Sequence, residues 1–203
     1  MRAVVQRVMQ ASVSVGDELV SSIGRGLCVL IGVSRDDSPK DMEYIVRKIL
    51  NLRVFDDDQE KRWAHSVKDK NYEILCVSQF TLYCVLKGNK PDFHQSMAAE
   101  QSQAFYEEFL QQMRKAYQPD KIKDGRFGAY MQVSIQNDGP VTVQLESPVQ
   151  QQKSKPEKTK AARQQKWEKK AGAGTAQEPA TAQEPVDVKM EQVTEQLSQT
   201  STT

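Results

Sequence analysis

Glu73-Ile74-Leu75-Cys76-Val77-Ser78-Gln79-Phe80-Thr81 is the stretch whose reading decides the fold. After Glu73, the four residues Ile74–Val77 form a short apolar run with no alternation, the mark of a strand covered on both faces. Ser78 and Gln79 then end the run, so the chain leaves a buried strand and presents small polar groups at one point. Leu27-Cys28-Val29-Leu30-Ile31 is a second run of the same kind and reads as a central strand, set off by Gly24-Arg25-Gly26.

Outward from these two runs the pattern changes. Ala3–Val8 and Ser12–Val15 place β-branched residues at period two, and Gly16-Asp17 turns the chain into a return strand over Glu18–Ser21. Pro39 opens a helix whose apolar stripe is Met42, Ile45, Val46, Ile49 and Leu50. Arg53-Val54-Phe55 reads as a strand that ends in the acidic loop Asp56-Asp57-Asp58. A longer helix is expected from about Ser96 to Tyr117, with Phe105, Phe109, Met113 and Tyr117 at i, i+4 spacing and Pro119 beyond its end. Ala129–Ile135 and Val141–Leu145 read as two strands around an Asn-Asp-Gly-Pro turn. Strands outnumber helices and glycines sit at strand corners. The expected class is α+β: a curved, barrel-like, mainly antiparallel sheet with two main helices.

The remainder of the 203 residues has a different character. Residues 1–146 hold 13 of the 14 aromatic side chains, leaving only Trp167 beyond them. A domain over 1–148 is therefore expected, followed by a disordered low-complexity tail over 149–203 that lacks the apolar surface to offset ordering entropy. The overall charge of +1 conceals a split: net −1 over 1–150, +6 over 151–170 and −4 over 171–203. The folded part is not a basic nucleic-acid domain; the tail begins basic and ends acidic.

Several classes are excluded or disfavoured. Cys28, Cys76 and Cys84 are an odd set without paired spacing, which suits free thiols in a reducing compartment. No apolar stretch is long enough to span a membrane, and the first residues alternate like a strand instead of forming a signal core. The two histidines, His65 and His94, form no recognisable pairing with a cysteine or serine, and no metal-binding or phosphate-loop pattern occurs. No metal and no cofactor are expected. Asp56-Asp57-Asp58 reads as a solvated turn.

Two short signatures remain. Ser78-Gln79-Phe80-Thr81 is either the plain end of a strand with Phe80 in the core, or a cluster of N–H groups, an amide and hydroxyls able to hold an ester carbonyl. Thr81 has no base beside it in sequence to make it a nucleophile. Asn137-Asp138-Gly139-Pro140-Val141-Thr142 alone is an ordinary turn. Phe127, after Gly125-Arg126, is equally a core aromatic or a stacking platform, and Arg7 is a strand residue with no assigned task.

Taken together and in this order, the two signatures resemble the paired motifs of the D-aminoacyl-tRNA deacylases. The opening Met-Arg-Ala-Val-Val-Gln-Arg-Val, the Lys87–Phe93 segment and Asp124-Gly125-Arg126-Phe127-Gly128-Ala129 are similar to that family as well, so the resemblance covers 1–146. A related branch has Pro-Gln-Ala-Thr where this chain has Ser78-Gln79-Phe80-Thr81, which puts the chain with the branch whose Gly-Pro bond is cis.

The resemblance implies a homodimer that hydrolyses the ester of D-aminoacyl-tRNA. Ser78, Gln79, Phe80 and Thr81 would form the catalytic segment. Gly139-Pro140, braced by Arg7, would enter the neighbouring protomer's pocket and exclude L-side chains with main-chain carbonyls. Glycine mischarged on the alanine tRNA would also be a substrate. Phe127, Gly128 and Met131 would receive the adenine at the tRNA 3′ end. The expected setting is translation quality control in the cytoplasm. The basic block suggests a second location in the nucleus and an alternative function, an adaptor that binds DNA or nuclear proteins through the tail.

Overall fold

The computed structural model describes residues 1–148, to which all structural statements below refer; the tail expected over 149–203 lies outside the described residues. The elements run β1 (Arg2–Val15), β2 (Glu18–Ile23), β3 (Gly26–Gly32), α1 (Pro39–Asn51), β4 (Glu73–Ser78), β5 (Val85–Lys87), β6 (Lys90–Asp92), α2 (Ala99–Ala116), β7 (Ile122–Asp124) and β8 (Gln132–Glu146). A 3₁₀ turn, Phe80–Tyr83, follows β4.

One mixed sheet carries the order β2-β1-β3-β4-β7, with β8 on the other side of β1. β1 is antiparallel to β2, β3 and β8, whereas β3-β4 and β4-β7 are parallel. The N-terminal half of β1 pairs with β3 and its C-terminal half with β2, so the sheet forks and curls. β2 then comes back towards β7, where the Ser21 hydroxyl donates to the Asp124 carbonyl at 2.7 Å. The result is a nearly closed barrel-like sheet with two helices.

The two apolar runs have their physical reason here. Leu27, Val29 and Ile31 of β3, with Ile74 and Cys76 of β4, face α1 and α2 and pack with Met42, Ile45, Ile49, Phe109 and Met113. The alternate residues Cys28, Leu75 and Val77 face the barrel interior with Val8, Val13 and Ile23. Each such aliphatic side chain contributes about 1.5–3 kcal/mol through burial. The stripe Met42, Ile45, Val46, Ile49 and Leu50 is buried as the helical spacing requires. Pro39 stands in the first turn of α1, and the Asp41 carboxylate accepts from the Ser38 N–H at 3.0 Å. Burial alone pushes the Cys28 thiol up to about 11, so it behaves as a small apolar group.

Three expectations are corrected. Ala3–Val8 and Ser12–Val15 are one strand, because β8 lies along nearly all of β1. Residues 53–55 form no strand; Phe55 makes only an isolated bridge with His65. Ala129–Ile135 and Val141–Leu145 are not two strands around a turn: β8 runs unbroken through Asn137–Val141. The Asn-Asp-Gly-Pro residues are absorbed as register shifts against β1 between Gln6 and Val8 and between Val8 and Gln10. The cross-strand partner, continuous over this length, overrode the local turn chemistry.

Candidate functional site

β4 ends at Ser78, and the Gln79 N–H donates to the Ile31 carbonyl of β3 at 2.6 Å. This last rung carries the parallel pairing one residue beyond the strand and aims the 3₁₀ turn outward. The turn lies close against β3 because residue 32 is glycine: a Cβ there would stand 2.9 Å from Leu82 Cβ and 3.2 Å from the Gln79 carbonyl oxygen. The first N–H groups of such a turn, those of Phe80 and Thr81, have no carbonyl of their own turn to meet. The Ser96 hydroxyl donates to the Phe80 carbonyl at 2.9 Å and fixes that peptide. The Gln79 side-chain amide donates to the Thr81 hydroxyl oxygen.

Beside this turn lies a cavity of about 770 Å³. One wall is Ser78, Gln79 and Phe80, and the opposite wall is Phe127, Gly128, Ala129, Tyr130 and Met131. The N-terminal turn of α2 supplies Ala98, Ala99 and Ser102, and Tyr106 follows one turn later. Phe127 leans on Tyr106 with ring centroids 5.7 Å apart, and Phe80 meets Phe93 edge-on at 5.0 Å. Phe93 is held in turn by its neighbours: Lys87 and His94 both pair with Asp92, and their hydrogen bonds hold that carboxyl well below the usual carboxylate range.

The electrostatics are defined by what the lining contains. Among the described residues around the cavity are hydroxyls, one side-chain amide and apolar groups, but no carboxylate, imidazole, ammonium, guanidinium or thiol. The one ionisable type is tyrosine, and burial pushes the Tyr106 phenol well above its ordinary value. Its hydroxyl has no hydrogen-bond partner among the described residues. The described lining offers peptide groups, hydroxyls, one side-chain amide and apolar surface.

Ser78, Gln79, Phe80, Phe127, Gly128 and Met131 are thus brought to one place, although about fifty residues separate the two groups in sequence. Thr81 stands beside the cavity, exposed, and is not part of its lining. Arg7, Gly139 and Pro140 are elsewhere. Arg7 Nε donates to the Asp138 carbonyl at 3.1 Å and lies 3.4 Å from its carboxylate, while Nη1 donates to the Val54 carbonyl at 2.5 Å. One guanidinium therefore ties β1, the segment after α1 and the β8 irregularity together. The Gly139-Pro140 bond is cis, and both residues are exposed. Gly139 has φ +117°, and a Cβ on it would meet Arg7 Nη2 at 3.0 Å and Val141 Cγ2 at 3.1 Å.

Ser96, Phe93, Ser102, Tyr106 and Tyr130 were not marked by the sequence. Tyr106 sits in the apolar stripe of α2, so its pattern is that of a core residue. Ser96 and Phe93 act only through contacts across the fold, and nothing local announces them.

A barrel-like mixed sheet with two helices, whose cleft is lined by a main-chain donor turn and a half-buried aromatic and, among the described residues, by no carboxylate, imidazole, ammonium or thiol, defines a small α+β domain. Residues 4–146 match the model of the D-Tyr-tRNA(Tyr) deacylase family. The chain is 68% identical over 148 residues to the D-aminoacyl-tRNA deacylase 1 of Bos taurus, covering 73% of this chain and 71% of that one. It is 63% identical over 150 residues to the D-aminoacyl-tRNA deacylase of Drosophila melanogaster, covering 74% and 94%. A solved structure named c-Myc DNA Unwinding Element Binding Protein superposes with a TM-score of 0.71 at 68% identity, over 73% of this chain and 99% of that one. The chain belongs to the D-Tyr-tRNA(Tyr) deacylase family.

Proposed function

We propose that the cavity receives the aminoacyl-adenosine end of a tRNA and that this chain hydrolyses its D-aminoacyl ester, releasing free tRNA and the D-amino acid. The observation that carries this reading is the meeting of Ser78-Gln79-Phe80 and Phe127-Gly128-Met131 around one cavity in a chain of this family. Adenine stacks on Phe127, near Gly128 and Met131. The ester carbonyl then lies at the 3₁₀ turn, where the Phe80 and Thr81 N–H groups meet the oxyanion that develops as water adds. The neighbouring ribose hydroxyl of the substrate helps to activate that water. Water adds to the carbonyl carbon, the ester C–O bond breaks, and the proton passes to the ribose oxygen that leaves. Rate comes from positioning an ester that is already labile, with no side chain of the cavity as an obligatory acid or base.

Selectivity is assigned to Gly139-Pro140 of a second copy. In support, both residues are exposed and neither lines the cavity of its own chain, and Arg7 holds Asp138, the residue before them, from within. The active form is then a homodimer, each protomer rejecting L-side chains in the other's cavity by main-chain bulk. Glycine, lacking a side chain, enters too, so glycine mischarged on the alanine tRNA is a second substrate. The setting of this reading is translation proofreading in the cytoplasm. The decisive measurement is hydrolysis of D-tyrosyl-tRNA and L-tyrosyl-tRNA by the full chain. Loss of the D-ester with the L-ester intact is expected; equal treatment of both ends the reading.

A second reading concerns residues 151–170, with their net charge of +6. The structural relative named as a DNA-element binding protein gives it support. In that reading the basic segment contacts DNA or nuclear proteins alongside the deacylase activity. Deleting 149–203 should abolish retention on DNA while leaving turnover of the D-ester.

A further inference from the structure

Three aromatic rings stand at the cavity rim, and they are not equivalent. Phe80, 57% exposed, has Phe93 against its edge. Phe127 has Tyr106 beside it. Tyr130 is 88% exposed, and among the described residues it has neither a ring partner nor a hydrogen bond. A single exposed aromatic on a protein surface is ordinary. Tyr130 differs because it also lines the cavity, three residues from Phe127.

The backbone explains how both rings reach one rim. Ala129 N–H donates to the Arg126 carbonyl at 3.2 Å, closing a tight turn over Arg126–Ala129. Gly128, with φ +73°, occupies the third position, where a left-handed conformation is needed. Phe127 goes inward at the second position, and Tyr130 emerges directly after the turn as the chain enters β8. β8 is fixed by its pairing with β1 from Gln132 onward, so Tyr130 stands at the end of an ordered strand.

We propose that Tyr130 is the stacking platform for the nucleotide that precedes the terminal adenosine, so that Phe127 and Tyr130 read two consecutive bases of an RNA 3′ end. The inference rests on the assignment of the cavity to aminoacyl-adenosine. A cavity of about 770 Å³ takes one aminoacyl-nucleoside, a ligand of the size such pockets usually hold. The strand must therefore leave over the rim, and the exposed ring of the lining that stands nearest Phe127 in sequence is Tyr130. An exposed ring there stacks on any base, because every base offers a π-face, and it needs no cation. That suits a folded part whose net charge over 1–150 is −1. Arg126, the nearest cation in sequence, is already paired with Glu18 at 2.8 Å, so the ring and not a phosphate clamp carries the contact.

The test uses the full-length protein with adenosine, the dinucleotide cytidylyl-adenosine, and their 2′(3′)-O-D-tyrosyl esters. In the wild type the dinucleotide should bind at least five-fold more tightly than adenosine, and kcat/KM for its ester should exceed that of the adenosine ester by a similar factor. Tyr130→Ala should remove this preference in both readouts, and Tyr130→Trp should keep it. Loss of the preference in Tyr130→Ala but not in Tyr130→Leu would mean that bulk, not stacking, is at work and overturns the proposal. So does a wild type that binds the two ligands equally. So does a Tyr130→Ala variant that keeps the preference while its oligomeric state changes, which would assign the ring to a protein contact. If the wild type hydrolyses neither ester yet shows the Tyr130-dependent binding preference, the deacylase reading falls and the stacking platform stands. Hydrolysis of both esters at equal rates, with equal binding, has the opposite meaning.

Discussion

The cavity wall at Ser78–Thr81 and the irregular middle of β8 at Asn137–Val141 use the same device for opposite ends. In each, the chain steps out of sheet pairing and a side chain from elsewhere grips a peptide carbonyl: Ser96 holds that of Phe80, and Arg7 holds that of Asp138. At the first, the freed main chain faces a cavity of its own molecule. At the second, it faces solvent, with Gly139 and Pro140 exposed. The first brace is a neutral hydrogen bond from one hydroxyl; the second is a charged group with three contacts. The difference teaches how much hold each loop needs. The cavity turn is supported by β3 and Gly32 behind it, whereas the β8 irregularity is held by Arg7, its strand partner and the packing of Val141 against the core.

The largest effect that would break this contrast is expected from Gly139→Ala. The new methyl would meet Arg7 Nη2 at 3.0 Å and Val141 Cγ2 at 3.1 Å, closer than ordinary van der Waals contact, in a backbone region L-residues avoid. The loop must shift, and a displacement of about 1 Å at a positioning element costs on the order of a hundred-fold in rate. The ratio of D- to L-tyrosyl-tRNA hydrolysis should collapse by about that factor, read in a single-turnover assay. A full D/L ratio in this variant would show that the exposed loop is not where chirality is judged.

Arg7→Ala comes next. Removing a charged donor from two carbonyls leaves them to water or unpaired, at about 1–3 kcal/mol. Denaturant unfolding should show that loss, and the D/L ratio should fall about ten-fold as the loop loses its brace. Arg7→Lys should recover part of the stability but little selectivity, since one ammonium cannot reach Val54 and Asp138 with the fork of a guanidinium. Ser96→Ala sharpens the comparison: it removes a single neutral hydrogen bond, about 1 kcal/mol, and should lower kcat several-fold while leaving the D/L ratio intact.

Phe127→Ala tests the opposite wall. Base stacking on an aromatic is worth about 1–3 kcal/mol, so KM for the D-ester should rise between about five-fold and a hundred-fold. The change should appear in KM more than in kcat if, as proposed, the ring holds the adenine and not the reacting bond. A pure kcat effect would mean that Phe127 only packs against Tyr106.

How much of this was legible in the sequence follows the same division. β3 and β4 were readable because both of their faces are buried, which forces unbroken apolar runs. The α1 stripe was readable because only one face is. The β8 region misled: Asn-Asp-Gly-Pro is turn chemistry, yet β1 pairs with β8 on both sides of it, so Asp138–Val141 step out of register within one strand instead of turning the chain back. β5, β6 and β7 are three-residue strands with no period to detect. Of the residues that motif or resemblance singled out, Ser78, Gln79, Phe80, Phe127, Gly128 and Met131 line the cavity and Thr81, Arg7, Gly139 and Pro140 do not, whereas Ser96 and Tyr106 were not singled out, since their places at the cavity are products of folding alone.

The smallest expected effect decides the chemistry. Thr81 is exposed, outside the cavity lining, and its hydroxyl oxygen is engaged by the Gln79 amide. Substituting alanine leaves the Phe80 and Thr81-position N–H groups where they are, because backbone donors do not depend on the side chain. It also strands no buried group, since Gln79 can turn to water. Thr81→Ala should therefore cost less than about ten-fold in kcat, short of the roughly 10²–10⁴-fold typical of a lost general acid or base. The pH profile is the companion measurement. Among the described residues around the cavity there is no carboxylate, imidazole, ammonium or thiol, and burial pushes the Tyr106 phenol well above its ordinary value. The excess of kcat over the spontaneous rate should show no bell between about pH 6 and pH 8. Complete loss of activity in Thr81→Ala, together with a bell-shaped profile, would make Thr81 a nucleophile and move the reaction from main-chain positioning to covalent catalysis.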